Sequence, residues 1–173
     1  DTPAPKNSRQ MPAEFQGDAS FSPTDLDHFL HSNDLQNENV TKIVGPFNDQ
    51  YPDTEATLDM QYIVGVSTGV TDWYWTSNGW MYTFATNLAN YAEVPSTVSM
   101  SWGWSESQQC TVSTDCKTLG VDSETYVART NVEFMKIGLR GVAVFASSGD
   151  SGANGRSDGG CTDSVLHAVF PAS

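Results

Sequence analysis

Gly141-Val142-Ala143-Val144-Phe145-Ala146-Ser147-Ser148-Gly149-Asp150-Ser151-Gly152 decides the fold. Five apolar residues, 142–146, run without alternation, as a parallel strand covered on both faces does. The glycine-flanked Ser/Asp turn behind them then falls at a strand's carboxyl end, where open α/β sheets gather their active sites. Upstream, Asp122 or Ser123 caps a predicted helix reaching about Arg140, with Val127, Phe134, Met135 and Ile137 on its apolar face and Gly141 as its C′ residue. Further back, Pro95 to Trp102 reads as a strand, 80–92 as a helix, Thr71–Thr76 as a strand, Thr54–Val66 as a helix and Thr41–Val44 as a strand. Ser22-Pro23 opens the first helix as N-cap and first-turn proline. Residues 1–12, polar and proline-bearing, are expected to be an irregular lead-in, and 103–120 a polar loop. Strands alternating with helices predict an α/β fold with a mainly parallel sheet flanked by helices.

The chain has 173 residues, 38% of them hydrophobic, which argues against disorder. Acidic residues outnumber basic ones 21 to 8, for a net charge of −13. That excludes nucleic acid and anionic membrane surfaces as partners, since both need clustered Lys and Arg. Acidity keeps a protein soluble. It also suits an acidic environment, because protonating the carboxyls leaves few positive charges to repel one another. No apolar leader or membrane-length run is evident, so the chain reads as a mature or processed one. Asn39-Val40-Thr41 is a glycosylation sequon. Cys110 and Cys116 bracket a short loop that a disulfide can close, leaving Cys161 over as either a buried thiol or a bond to another chain.

Three segments carry chemistry. Glu55 and Asp59 stand four apart on one helix face, and at about 100° per residue they fall among Leu58, Tyr62, Ile63 and Val66. Like charges side by side in an apolar stripe are costly, a mark of function. Ser147 to Gly152 is the second segment, and Val98-Ser99-Met100-Ser101-Trp102-Gly103, a strand ending in glycine, is the third. Such a glycine lets another backbone approach. His28, His31 and His167 have no ligand cluster beside them and read as structural or solvated. Trp73, Trp75, Trp102 and Trp104 suit either apolar side-chain pockets or core packing.

Taken together, Glu-x-x-x-Asp, Ser-Trp-Gly and Ala-Ser-Ser-Gly-Asp-Ser-Gly, with the closing Phe170-Pro171-Ala172-Ser173, resemble the sedolisin family of serine-carboxyl peptidases, and its tripeptidyl-peptidase I branch in particular. The resemblance implies a subtilisin-like fold, with 13–173 as the N-terminal half of a catalytic domain. It implies that Glu55 is the general base, that Asp59 hydrogen-bonds to it and tunes it, and that Asp150 helps form the oxyanion hole. Ser101, Trp102, Gly103, Ser148 and Gly149 are implied to bind substrate. A carboxylate base works near its own pKa, and an aspartic acid donates to an oxyanion only when protonated, so the implied chemistry is acidic.

The family's nucleophile lies in a Ser-Gly-Thr-Ser segment, which does not occur here. The expectation is therefore a fold incomplete without a second chain that carries the serine and the family's calcium site, with no metal ligand on this one. Cys161 is a candidate for a disulfide between the two. Secretion, or residence in a lysosomal or acidic vacuolar compartment, is expected. The competing reading is a catalytically inactive subtilisin-like module that only binds peptides.

Overall fold

The computed structural model describes residues 7–15, 19–157, 160, 162 and 165–173. Its centre is a five-stranded parallel sheet in the order β2-β3-β1-β4-β6, built from β1 (Arg9–Glu14), β2 (Val40–Val44), β3 (Thr71–Thr76), β4 (Thr97–Met100) and β6 (Ala143–Ala146). The helices are α1 (Pro23–Ser32), α2 (Thr54–Val66), α3 (Met81–Asn90), α4 (Gln109–Val112), α5 (Asp115–Leu119) and α6 (Ser123–Leu139). Two short strands, β5 (Trp104–Ser105) and β7 (Val169–Phe170), pair antiparallel outside the main sheet. The α/β class and the parallel sheet with flanking helices are as expected, and they suit a subtilisin-like domain.

The helix starts follow from side-chain caps. Ser22 Oγ accepts from Asp25 N at 3.1 Å, Asp53 Oδ1 from Ala56 N at 3.1 Å and Asp122 Oδ1 from Thr125 N at 2.9 Å. Each satisfies one of the amide donors that a helix start leaves without an internal partner. Strand pleating then sorts residues between two cores. Met11, Ala13, Trp73, Trp75, Val98 and Met100 pack with α3 and α6 residues, whereas Tyr74 faces α1 and α2. The connections change face between β3 and β4, and β4 lands on the far side of β1, so the topological switch lies at the β1–β4 boundary. Ligands in open α/β sheets bind at such points.

Four expectations are corrected. Residues 9–12 are no lead-in: with Ala13 and Glu14 they form β1, the middle strand, paired with both β3 and β4. The apolar run 142–146 is not covered on both faces, because β6 is an edge strand with Ala143 and Phe145 exposed. On α6, Tyr126, Thr130, Glu133 and Ile137 are buried and Met135 is exposed. The segment 103–120 is not simply a loop but carries β5, a 3-10 turn, α4 and α5. Cys110 and Cys116 do form a disulfide there, while Cys161 lies outside the described residues.

Gly45 ends β2 at φ +90°, and a Cβ there would stand 2.0 Å from the Thr76 carbonyl oxygen. Backbone cannot yield as a side-chain tip can, so Gly45→Ala combines a left-handed strain with a clash. It is expected to cost about 2 kcal/mol or more, read as a lowered urea midpoint at unchanged m-value.

Candidate active site

Helix α2 brings its amino end to the carboxyl ends of the strands, which sets Glu55 and Asp59 beside β1 and β4. Its buried stripe is Ala56, Met60 and Val64, not the one expected. Leu58, Tyr62 and Val66 are exposed, as is Glu55, while Asp59 is half-buried. The carboxylates thus lie on the border between the buried stripe and an open one. Phe145 on β6 is also uncovered.

Asp59 Oδ2 accepts a 2.6 Å hydrogen bond from Ser101 Oγ. Behind it stands a residue the sequence reading missed. Glu14, at the end of β1, is fully buried, and its Oε2 accepts from Trp102 Nε1 at 2.6 Å. Among the described residues no donor meets the other oxygen, Oε1. A proton carried on Glu14 resolves this, since the acid can then donate to Asp59. Burial, and next the charge of Asp59, push the Glu14 carboxyl up to about 8 against the pull of the Trp102 bond. Asp59 is also raised, by burial first, while the bonds from Ser101 and Glu14 pull it back. Glu55 is raised by burial and by the charges of Asp59, Asp150 and Asp53. Glu14 and Asp59 therefore titrate as a coupled pair, and Glu55 feels the charge of Asp59. A period-2 alternation of Met11, Ala13 and Phe15 against Gln10 and Glu14 was the available signal for this strand. Pro12 spoke against it.

A cleft of about 780 Å³ lies over the strand ends and is lined by Glu55, Leu58, Trp80, Ser101, Trp102 and Asp150 among others. Three distant segments thus meet in one depression. Asp150 is exposed, with Arg156 Nη2 3.8 Å from its Oδ2. Ser148 and Gly149 line an adjoining pocket of about 300 Å³ together with Gly103. Strand β4 is paired on both sides. A substrate backbone can therefore meet only 101–103, past its last ladder residue. The backbone that approaches Gly103 is the chain's own: a Cβ there would lie 2.7 Å from Val169 Cγ1 and 3.0 Å from Phe170 O.

Trp73 and Trp75 belong to the core, whereas Trp80, Trp102 and Trp104 line the cleft. His28 and His31 are exposed on α1. His167, read from sequence as remote from the chemistry, lines the smaller pocket beside Asp150. Among the described residues no three His, Cys, Asp or Glu converge as a metal site.

Two buried carboxyls give the fold a pH dependence of definite sign. Glu14 is raised from 4.5 to about 8. At the opposite end of the sheet Asp72, held by Gln10 Nε2 at 2.8 Å, is raised from 3.8 to about 6 by burial. Their stabilising contribution is full below the unfolded values, near 4, and is lost as pH rises through about 6 and then about 8. The urea midpoint is expected to fall between pH 4 and pH 9. Glu14→Gln, which keeps an acceptor for Trp102 and a donor for Asp59, should flatten the upper part of that decline.

No family model matches the chain. It is 43% identical over 173 residues to physarolisin of Physarum polycephalum, an alignment covering 99% of this chain and 30% of that protein. Tripeptidyl-peptidase 1 of Macaca fascicularis is 28% identical over 180 residues, covering 96% of the chain and 28% of the relative. Tripeptidyl-peptidase 1 of Dictyostelium discoideum is 29% identical over 149 residues, covering 83% and 22%. The chain spans less than a third of the curated relatives it matches. It belongs to the sedolisin family, and its span fits the N-terminal half of that family's catalytic domain.

Proposed function

We propose that this chain supplies the acidic part of a serine-type peptidase site, with the nucleophilic serine supplied by a second chain. One observation carries the reading: Glu55, Ser101-Trp102-Gly103 and Asp150, from three separate segments, line one cleft. Glu55 takes the proton from the incoming serine Oγ as that oxygen attacks the scissile carbonyl. Asp59, fixed by Ser101 and by Glu14, stabilises the protonated Glu55 that results. The carboxylic acid of Asp150 donates to the oxygen that becomes negative in the tetrahedral intermediate. Protonated Glu55 then returns its proton to the leaving amine. Burial and the charges around it raise the Glu55 carboxyl above its ordinary value, which favours the protonated form that returns its proton to the leaving amine.

The second chain is proposed to cover the exposed stripe Leu58, Tyr62 and Val66 and the open β6 edge with Phe145, apolar surface that water leaves unsatisfied. It also carries the family's calcium site. The Cys110–Cys116 disulfide supports an oxidising compartment, so secretion or an acidic lysosomal or vacuolar site is proposed, with Asn39, exposed between α1 and β2, as a glycan acceptor. No helix among the described residues is long and apolar enough to cross a membrane.

Intact mass of the native protein under denaturing conditions is expected to show a second chain containing Ser-Gly-Thr-Ser. The full protein should cleave peptides near pH 4, and Glu55→Gln should lower kcat at least about 100-fold without altering the circular dichroism. Undiminished activity in that variant removes Glu55 as the base. A folded chain with no second component and no cleavage leaves the peptide-binding module.

A further inference from the structure

The smaller pocket, about 300 Å³, opens between Gly103 and Gly149, and Asp150 is part of its wall. On the peptidase reading, on which this inference rests, Asp150 holds the oxygen of the scissile carbonyl. The side chain entering the pocket is then that of the residue contributing this carbonyl. Much of the lining is glycine and serine, including Gly152, Gly155 and Ser157. These residues leave room for a side chain of some length and give it little to grip.

The grip is electrostatic. Arg156 and His167 both line the pocket, in a chain with only 8 Lys and Arg and a net charge of −13. The Arg156 guanidinium lies over the Trp104 ring, 5.0 Å from its centroid, which holds it at the pocket wall. Its ion pair with Asp150 is loose, at 3.8 Å, with side chains 66% and 91% exposed. An exposed pair of that length contributes little. A guanidinium has five N–H donors in a fork matched to a carboxylate, so one distant oxygen leaves it capacity for a bidentate partner. Trp104 adds a buried Nε1–H that has no acceptor among the described residues.

We propose that this pocket selects substrates whose residue on the amino side of the scissile bond carries a carboxyl group, glutamate above all, and that Arg156 is the specificity-determining residue. A glutamate seated there pairs with the guanidinium and draws it from Asp150, freeing that side chain to face the reacting carbonyl. A lysine places its ammonium against Arg156 and is disfavoured.

The test uses the full protein and a fluorogenic peptide series varied only at that residue: Glu, Gln, Leu and Lys. Glutamate is expected to exceed lysine in kcat/KM by about tenfold or more, and Arg156→Gln to lower the Glu-to-Leu ratio about tenfold. A preference for Leu or Lys, or a Glu-to-Leu ratio that Arg156→Gln does not move, overturns the assignment while leaving the peptidase reading intact. A second measurement works without catalysis: binding of acetylated tetrapeptides ending in Glu, Leu or Lys, followed by tryptophan fluorescence. Tighter binding of the Glu-ended peptide, lost in Arg156→Gln, with no cleavage of any substrate, sustains the pocket and removes the peptidase reading. Equal binding of all three by a protein that cleaves none overturns both.

Discussion

A single proton in the interior ties the site together. Glu14 is fully buried between the indole of Trp102 and the carboxyl of Asp59. Two facing carboxylates at that depth are untenable, so one of them must be an acid. With the proton on Glu14, the end of β1, the segment after β4 and helix α2 are joined by directional bonds. Trp102 donates to Glu14, Glu14 to Asp59, and Ser101 donates to Asp59 from the other side. Without it the same atoms repel. The position of Asp59, and through it that of Glu55 one turn earlier, depends on a group that never touches the cleft.

This dependence accounts for the switch-point location of the cleft. A parallel sheet whose helices change face leaves a gap over the strands where the change occurs. Here the gap opens between β1 and β4, and the carboxyl ends of those strands supply Glu14 and Ser101. Asp150 comes from the turn after β6, beyond β4, and Glu55 from the helix on the other flank. The cleft is thus flanked on two sides by acidic groups that are far apart in sequence.

Much of this was legible in the residues. Strand 71–76 and helix 54–66 were read with their observed bounds, because a helical apolar spacing and a β-branched aromatic run are strong local signals. The misreadings share a cause. Helix α2 has two apolar stripes, Ala56/Met60/Val64 and Leu58/Tyr62/Val66, and periodicity alone does not say which one meets the sheet. Strand β1 was hidden by Pro12, whose lack of an amide donor marks it against a central strand. With β1 unread, Glu14 had no context, since its meaning comes from Asp59 on a later helix and from Trp102 after β4. The partner at Gly103 was equally out of reach: nothing local announces that Phe170 will pack against it.

That last contact bears on the order in which the molecule is made. Strand β5 is synthesised as residues 104 and 105, but its partner β7 is residues 169 and 170. Between them the ribosome delivers α6 and β6, which is enough to finish the five-stranded sheet. The sheet, the carboxyl cluster and most of the cleft can therefore be assembled while the wall beside Gly103 is still in the exit tunnel. Among the described residues the β5–β7 pairing is thus the last strand pairing the chain can make, and an emerging chain holds its acidic groups in place before the wall beside Gly103 is closed.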